Sequence, residues 1–166
     1  KNFFLMYNLH IKILKYSRKH KFIIPFLRFN PKKIRRKELE DLLKKGFRGI
    51  KLHPRSEEFD PLEKNIQWVF EVIQKYRIPI LIHCKSYHFD PNSHPEKLLK
   101  LAKKHPKQIF VFGHFAGVNK SLFKEFMKHE NIYVETSIDV TPNAYREVTL
   151  KIGFDRLLFV TDFPFS

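Results

Sequence analysis

The chain has 166 residues, of which 43% are hydrophobic and 18 are phenylalanine, so a disordered segment is excluded and residues 1–166 are expected to form a single globular domain. Its formal net charge of +15 comes from lysines and arginines distributed along the whole sequence, and this distribution favours a basic surface over a nucleic-acid partner. The single cysteine, Cys84, excludes an internal disulfide framework and a cysteine-cluster zinc site, and it fits a reducing, cytoplasmic location.

The first segment, from Asn2 to Leu14, is fairly apolar, but polar residues interrupt it and no small-residue cleavage site follows. We therefore do not interpret it as a signal peptide. No apolar run approaches the ~20 residues that a membrane helix needs, so we expect no membrane span. The sequence begins at Lys1 without a methionine, which leads us to expect further residues upstream.

Six short runs rich in Ile, Leu, Val and Phe follow one another along the chain, and each has the length of a strand. They cover Phe22–Phe29, Gly49–His53, Ile78–Cys84, Ile109–His114, Ile132–Thr136 and Leu157–Thr161. Their apolarity is nearly continuous and does not alternate, which is typical of parallel strands covered on both faces.

Amphipathic patterns between these runs predict helices. The helices extend from Pro31 to Gly46, from Asp60 through Ile73, from about His94 to His105, from Ser121 to Lys128 and from about Pro142 to Lys151. The strand–helix repeat of ~25–30 residues predicts an α/β chain of the (β/α)₈ barrel type that is incomplete, with about six of the eight units present. An open, doubly wound sheet is the alternative, although no glycine-rich phosphate loop follows any strand.

Barrel enzymes carry their catalytic side chains at the carboxyl ends of the strands, so the last residues of each predicted strand are candidates. His83, His114 and Asp162 end three separate strands. Two imidazoles and a carboxylate suit a zinc, manganese or iron ion with an open position for water. A metal there would lower the pKa of water, and a nearby carboxylate or imidazole would accept the proton. If one of the three groups serves as the base, only two protein ligands remain, and this set is incomplete by itself because three ligands are usual.

Other polar residues lie at or just after the same strand ends. Lys51, His53 and Arg55 are candidates for contact with an anionic substrate, although His53 and Arg55 equally fit solvated loop residues. Glu135 either hydrogen-bonds a metal-ligating histidine or is a carboxylate at the surface end of its strand. Cys84 directly follows a strand-ending histidine, so we expect it to point into the barrel wall as a small buried hydrophobe.

Five short motifs follow one another along the sequence. They are Gly46–Pro54 (GFRGIKLHP), Pro79–His83 (PILIH), Phe112–Gly117 (FGHFAG), Asn131–Ser137 (NIYVETS) and Asp155–Pro164 (DRLLFVTDFP). In order and spacing this set resembles the fourth to eighth strands of the amidohydrolase superfamily, and specifically of its amidohydrolase-2 group. Each motif alone is weak, but together they are specific, and the resemblance extends from about residue 22 to the end of the chain.

The resemblance implies a divalent metal, preferably zinc with manganese or iron as alternatives, held by His83 and Asp162. It also implies that His114 assists water activation or substrate binding and that Asp162 accepts a proton, which makes these two the catalytic candidates. Some superfamily members carry a carbamylated lysine at the position of Lys51, but we favour a free amine that binds a substrate carboxylate. The group's His-x-His ligand pair does not occur in this sequence, so we expect it upstream of Lys1 or in another polypeptide.

The leading function implied by the resemblance is metal-dependent hydrolysis of a small molecule at an amide, a lactone or a cyclic C–N bond. Non-hydrolytic decarboxylation occurs in the same group and is the first alternative. A metal-dependent deoxyribonuclease of the same superfamily would suit the positive charge, and a non-catalytic remnant or partner-binding barrel is a hypothesis of another class. The expected partner is a small anionic molecule, and the sequence leaves a homo-oligomer open.

Overall fold

The computed structural model describes residues 3–137 and 142–163, so Asn2 and Pro164, which bound two of the segments above, lie outside the described residues. Its centre is a sheet of six parallel strands whose spatial order is the chain order. The strands are β1 (Phe26–Arg28), β2 (Gly49–Leu52), β3 (Ile80–Ile82), β4 (Phe110–Phe112), β5 (Ile132–Glu135) and β6 (Leu157–Leu158). Each strand lies inside one of the predicted runs, so the strand positions and the parallel arrangement are confirmed.

The register of the sheet places the basic residues of β1 and β2 side by side on one face. Arg28 is the register partner of Lys51, and Lys51 is the partner of Leu81. These three residues are half-buried, whereas Ile50 and Ile82 beside them are fully buried in the core. Because successive side chains of a strand point to opposite faces, Lys51 and the residues in step with it share the more open face.

Helices and short turns connect the strands. The helices are α1 (Phe3–Lys19), α2 (Arg36–Lys44), α3 (Gln67–Lys75), α4 (Pro95–Lys104), α5 (Phe123–Phe126) and α6 (Pro142–Ile152). Short 3₁₀ helices occur at Lys64–Ile66, Lys120–Leu122 and Phe154–Arg156. The apolar sides of α2, α3 and α4 are buried in the same core as the strands. Within the described residues, no helix combines the length and apolarity that crossing a membrane requires.

Two predicted helix starts are wrong. The helix predicted from Pro31 begins at Arg36, and the one predicted from Asp60 begins at Gln67. The Asp60 carboxylate does accept a hydrogen bond from the backbone N–H of Leu62, at 2.9 Å, but it closes a local turn and not the first turn of a helix. An aspartate can satisfy either geometry, and the sequence pattern does not distinguish them.

The chain makes a left-handed turn directly after β4, at Gly113–Gly117. The φ and ψ angles are 55° and 52° at His114, 50° and 42° at Phe115, and 51° and 39° at Ala116. Left-handed backbone costs about 1–2 kcal/mol for each L-residue, so tertiary contacts must stabilise the turn. In a continuing strand His114 would share the fully buried face of Phe112, and the turn instead redirects it.

Candidate active site

Two histidines at the ends of β3 and β4 are in direct contact. His83 Nδ1 lies 3.0 Å from His114 Nε2, and the two rings meet edge to face with their centroids 4.7 Å apart. Both side chains are buried, with 8% and 7% of their surface exposed. The structure therefore brings together two of the three residues proposed for the metal-dependent site.

The groups around the pair assign its protons. The Nδ1 atom of His114 lies 2.5 Å from the carbonyl oxygen of Ser137, which can only accept, so Nδ1 is the donor. In a neutral His114 the Nε2 atom then accepts, and the hydrogen bond between the rings is donated by His83 Nδ1. The Nε2 atom of His83 consequently keeps its lone pair. This atom is buried and has no hydrogen-bond partner among the described residues.

A buried carboxylate holds His114 in place. The Glu135 side chain is 1% exposed, and its Oε1 atom accepts hydrogen bonds from the backbone N–H of His114, at 2.6 Å, and from the Ser137 hydroxyl, at 2.7 Å. Its Oε2 atom accepts from the backbone N–H of Ser137 at 2.6 Å. A Cβ atom at Gly113 would lie 3.1 Å from Glu135 Oε1, so the close approach of the two strands needs glycine there.

His53 extends the pair to a third ring. Its imidazole stacks on that of His83, with centroids 3.8 Å apart and an interplanar angle of 16°. The loop after β2 fixes this ring, because the backbone N–H of Ser56 donates to His53 Nδ1 at 3.3 Å. The backbone N–H of His53 donates to Glu57, whose other oxygen accepts from Arg28 Nε at 2.7 Å.

The site is electrostatically positive and favours neutral imidazoles. Burial lowers the pKa of His83 to about 2, and the neighbouring His53 and His114 add to this effect. Burial also lowers the pKa of His53 to about 4, and the charge of Arg28 contributes. Neutral imidazole is the form that can ligate a metal, so these shifts keep His83 available at neutral pH.

Lys51 supplies a cation on the same face of the sheet. Burial lowers the pKa of its amine, while the carboxylates of Glu135 and Asp162 oppose that effect. Lys51 is therefore close enough to both carboxylates to interact with them electrostatically. This placement suits an amine that meets a negatively charged substrate at the strand ends.

Asp162 and Arg55 are the two remaining residues of the predicted site. Asp162 follows β6, is half-buried and has a positive φ of 57°, a conformation that aspartate tolerates better than most residues. Arg55 is exposed, and its guanidinium lies over the rings of Tyr87 and Phe89. Among the described residues, no group of three His, Cys, Asp or Glu side chains is arranged to hold a metal ion.

The described residues fit a divalent metal in one respect. The Nε2 lone pair of His83 is buried, unpaired and oriented by the hydrogen bond at the opposite nitrogen, which is the arrangement typical of metal-ligating histidines. The remaining ligands of a complete site would have to come from Asp162 and from groups outside the described residues.

Sequence reasoning did not select Ser137 and Arg28. Ser137 lies two residues after Glu135, just beyond the end of β5, and this spacing could have identified it. Arg28 ends β1 and is the register partner of Lys51, but the first predicted run extends to Phe29, which hides Arg28 inside it. Cys84 is fully buried, as expected.

Comparisons with known proteins give the family and the fold. The family model described as Amidohydrolase, of the amidohydrolase-2 group, matches residues 17–166. None of the curated proteins matches the chain. A 2,6-dihydroxybenzoate decarboxylase solved with 2,6-dihydroxybenzoate is 16% identical with a TM-score of 0.78, and the match covers 97% of this chain and 66% of that one.

Two further solved structures are similar. A dihydroxybenzoic acid decarboxylase from Polaromonas sp. JS666, with bound manganese and the inhibitor 2-nitroresorcinol, is 17% identical with a TM-score of 0.73, and the match covers 97% of this chain and 65% of that one. An uncharacterised TIM-barrel protein from Bordetella bronchiseptica is 15% identical with a TM-score of 0.75, and the match covers 93% and 59%.

The chain thus spans about two thirds or less of these structures, and its six parallel strands form an incomplete (β/α)₈ barrel. The order of its strands, the histidine pair at their carboxyl ends and the match over residues 17–166 agree: the chain belongs to the amidohydrolase family of the amidohydrolase-2 group, whose members are metal-dependent.

Proposed function

We propose that this protein is a metal-dependent enzyme that acts on a small anionic molecule at the site formed by His83, His114, Glu135 and Lys51. The observation that carries the proposal is the buried, unpaired lone pair of His83 Nε2. Leaving such an atom without a partner costs about 1–3 kcal/mol. A metal ion bound by this nitrogen would remove that cost.

Each residue has a role that its surroundings support. His83 and Asp162 are the proposed ligands of a divalent metal, which when bound would polarise the substrate. His114 accepts a proton at the Nε2 lone pair of its neutral ring and can then deliver that proton, and Glu135 with Ser137 fixes the orientation of its ring. Lys51 binds an anionic group of the substrate.

Decarboxylation of an aromatic acid is the reaction that we favour. Two of the similar structures are decarboxylases, one of them solved with 2,6-dihydroxybenzoate and the other with manganese. In this reaction the bond between the ring carbon and the carboxylate breaks, carbon dioxide leaves, and a proton replaces it on the carbon. His114 and Asp162 are the groups that would deliver this proton. Manganese and zinc both suit an imidazole and carboxylate site.

Hydrolysis is the second candidate, and the description of the matching family supports it. The two reactions differ in what replaces the broken bond, because hydrolysis adds the elements of water and decarboxylation releases carbon dioxide. The nuclease is less well supported, because no arginine-rich stripe occurs in the sequence. The non-catalytic barrel is less well supported, because the buried lone pair of His83 Nε2 is unpaired among the described residues and free to bind a metal.

The test uses the protein as its gene encodes it, first stripped of metal by chelation. We expect added Mn²⁺ or Zn²⁺ to bind and to restore release of carbon dioxide from 2,6-dihydroxybenzoate or a closely related acid. Substitution His83→Ala should lower metal affinity by about 10–100-fold, whereas His20→Ala, which changes an exposed histidine, should not. Metal-dependent cleavage of amides or lactones without decarboxylation would select the hydrolase. Equal metal affinity in the His83→Ala variant would refute the proposed site.

A further inference from the structure

Two aromatic rings and two cations form an exposed cluster beside the site, which we call the aromatic–cation cluster (Arg55, Lys85, Tyr87, Phe89). The rings of Tyr87 and Phe89 are stacked with centroids 4.9 Å apart and an interplanar angle of 11°. The guanidinium of Arg55 lies 5.2 Å from the centre of the Phe89 ring and 5.9 Å from that of Tyr87. The amine of Lys85 lies 5.6 Å from the centre of the Tyr87 ring.

The cations of the cluster lack an anionic partner among the described residues, and its rings are partly exposed. Among the residues that the structure describes, neither Arg55 nor Lys85 forms an ion pair with a carboxylate. Tyr87 and Phe89 are 39% and 60% exposed, although large aromatic side chains are usually buried when they serve only folding. The cluster therefore presents partly exposed aromatic surface beside two positive charges that contact the rings but have no anionic partner in the described part of the chain.

The loop that carries the cluster is held at several points. The backbone N–H of Lys85 donates to the carbonyl of Ser93 at 3.0 Å, which closes the loop at its base. The hydroxyl of Ser86 donates to the carbonyl of Gly117 at 2.9 Å and ties the loop to the left-handed turn that contains His114. The cluster is consequently fixed relative to the histidine pair.

The residues of the cluster are close to those of the site in sequence, and their charges act on the histidines of the site. Arg55 follows His53 by two residues, and Lys85 follows His83 by two. The charge of Arg55 contributes to lowering the pKa of His53, and that of Lys85 contributes to lowering the pKa of His83. Both cations therefore act electrostatically on the residues of the proposed active site.

We propose that the aromatic–cation cluster is the recognition site that selects a planar aromatic carboxylate and guides it to the histidine pair. The proposal rests on the proposed function, since it names the substrate class of that site. The aromatic ring of the ligand stacks against Tyr87 and Phe89, and its carboxylate accepts hydrogen bonds from Arg55 or Lys85. The planar fork of arginine matches a carboxylate in two-point contact, and stacking favours a ligand with a π face over a saturated one.

Binding to metal-free protein separates this proposal from the catalytic one. The probes are 2,6-dihydroxybenzoate and cyclohexanecarboxylate, titrated calorimetrically into the gene-encoded protein after chelation. We expect the aromatic probe to bind more tightly than the saturated one. The double substitution Tyr87→Ala with Phe89→Ala should weaken binding of the aromatic probe on the order of tenfold and remove the preference. Phe22→Ala, which removes an even more exposed ring before β1, should change nothing.

The charged half of the cluster is tested separately. The paired substitution Arg55→Gln with Lys85→Gln should weaken both carboxylates by a similar factor, because both probes carry the same charge. Failure of the aromatic probe to bind wild-type protein, or equal affinity in the Tyr87→Ala, Phe89→Ala variant, would overturn the proposal. If that variant binds normally and metal-dependent turnover is intact, the proposed function survives without the recognition site. If the probe binds through the cluster but no metal-dependent turnover occurs, the proposed function fails alone.

Discussion

The Glu135 carboxylate organises the candidate site at the scale of single residues. It accepts three hydrogen bonds, from the backbone of His114, the backbone of Ser137 and the hydroxyl of Ser137, at 2.6–2.7 Å. Hydrogen bonds to a charged group contribute about 1.5–3 kcal/mol each, more than neutral ones. This buried carboxylate therefore fixes both the backbone and, through Ser137, the ring orientation of His114.

The substitution Glu135→Gln should lower the free energy of unfolding by about 2–3 kcal/mol. The amide NH2 of glutamine would face a donor, such as the backbone N–H of Ser137, to which the carboxylate oxygen now bonds. Urea denaturation measures this loss. The exposed carboxylate of Glu130 offers the matched change, and Glu130→Gln should cost no more than about 0.5 kcal/mol. Equal, small losses in the two variants would mean that the three hydrogen bonds do not hold the strand end.

The pH dependence of stability follows from the buried histidines. The pKa of His83 is lowered to about 2, and histidine has an ordinary value of 6.5. Between these values the unfolded chain binds a proton that the folded chain does not, so the stabilisation is present above pH 6.5 and is lost as the pH falls. The metal-free protein should therefore lose stability from about pH 7 towards about pH 5, by at most about 1.4 kcal/mol per pH unit for this group.

The variant His83→Gln isolates this effect, because glutamine does not titrate. Urea midpoints of both proteins in the presence of a chelator should converge as the pH falls, with the wild type losing more. Parallel curves would show that other groups, such as His53, whose pKa burial lowers to about 4, control the acid response.

Strand ends and the alternation of side chains were enough to predict much of the site at this scale. Lys51, His53, His83 and Glu135 are in step at the ends of parallel strands, and the structure places them on the same side. Arg55 was proposed as a substrate contact, but its placement over Tyr87 and Phe89 was not predicted, because those rings belong to a loop that is distant in sequence.

The left-handed turn after β4 is the decisive feature at the scale of elements. It places His114 against His83, although strand alternation would direct it to the opposite face. Sequence patterns did not predict this turn, because only Gly113 and Gly117 favour it locally and three L-residues adopt it against their intrinsic preference. Contacts that are distant in sequence, such as the bond from Ser86 to Gly117, stabilise it.

The substitution Gly117→Ala should therefore damage both stability and the site. The φ angle of 67° strains alanine, and the new Cβ would lie 2.9 Å from the backbone nitrogen of Ser86. We expect a loss of about 1–2 kcal/mol or more, measured by urea denaturation, together with weaker Mn²⁺ binding by the folded protein. Gly46→Ala is the control, because Gly46 also has positive φ but has nothing within 4 Å of the added Cβ. It should lose stability and keep its metal affinity.

At the scale of the whole molecule, the main feature is that the described sheet is open and has two edges. Because the spatial order runs from β1 to β6, these two strands are the edges of the described sheet. The prediction of six barrel units from the strand–helix repeat is confirmed by the sheet and by the similar TIM-barrel structures. The repeat could reveal this because parallel βαβ units are local and fix the strand order by themselves.

The edge at β6 carries exposed apolar side chains. Leu158, Phe159 and Phe163 are 42%, 82% and 83% exposed. An unpaired strand edge with large apolar side chains is a template for association with another chain. The 166-residue polypeptide made by itself should therefore self-associate, which sedimentation velocity over a series of concentrations would detect.

The substitution Phe159→Lys should weaken this association on the order of tenfold, because burying the new charge in an interface beside the unpaired strand would remove it from water at a cost in free energy. Leu150→Lys is the matched control, since Leu150 is 73% exposed but lies on α6 and not on a strand edge. The two variants carry the same net charge, so a purely electrostatic effect would make them behave alike. If both dissociate equally, charge repulsion across the basic surface drives the change; if only Phe159→Lys dissociates, the association runs through the β6 edge.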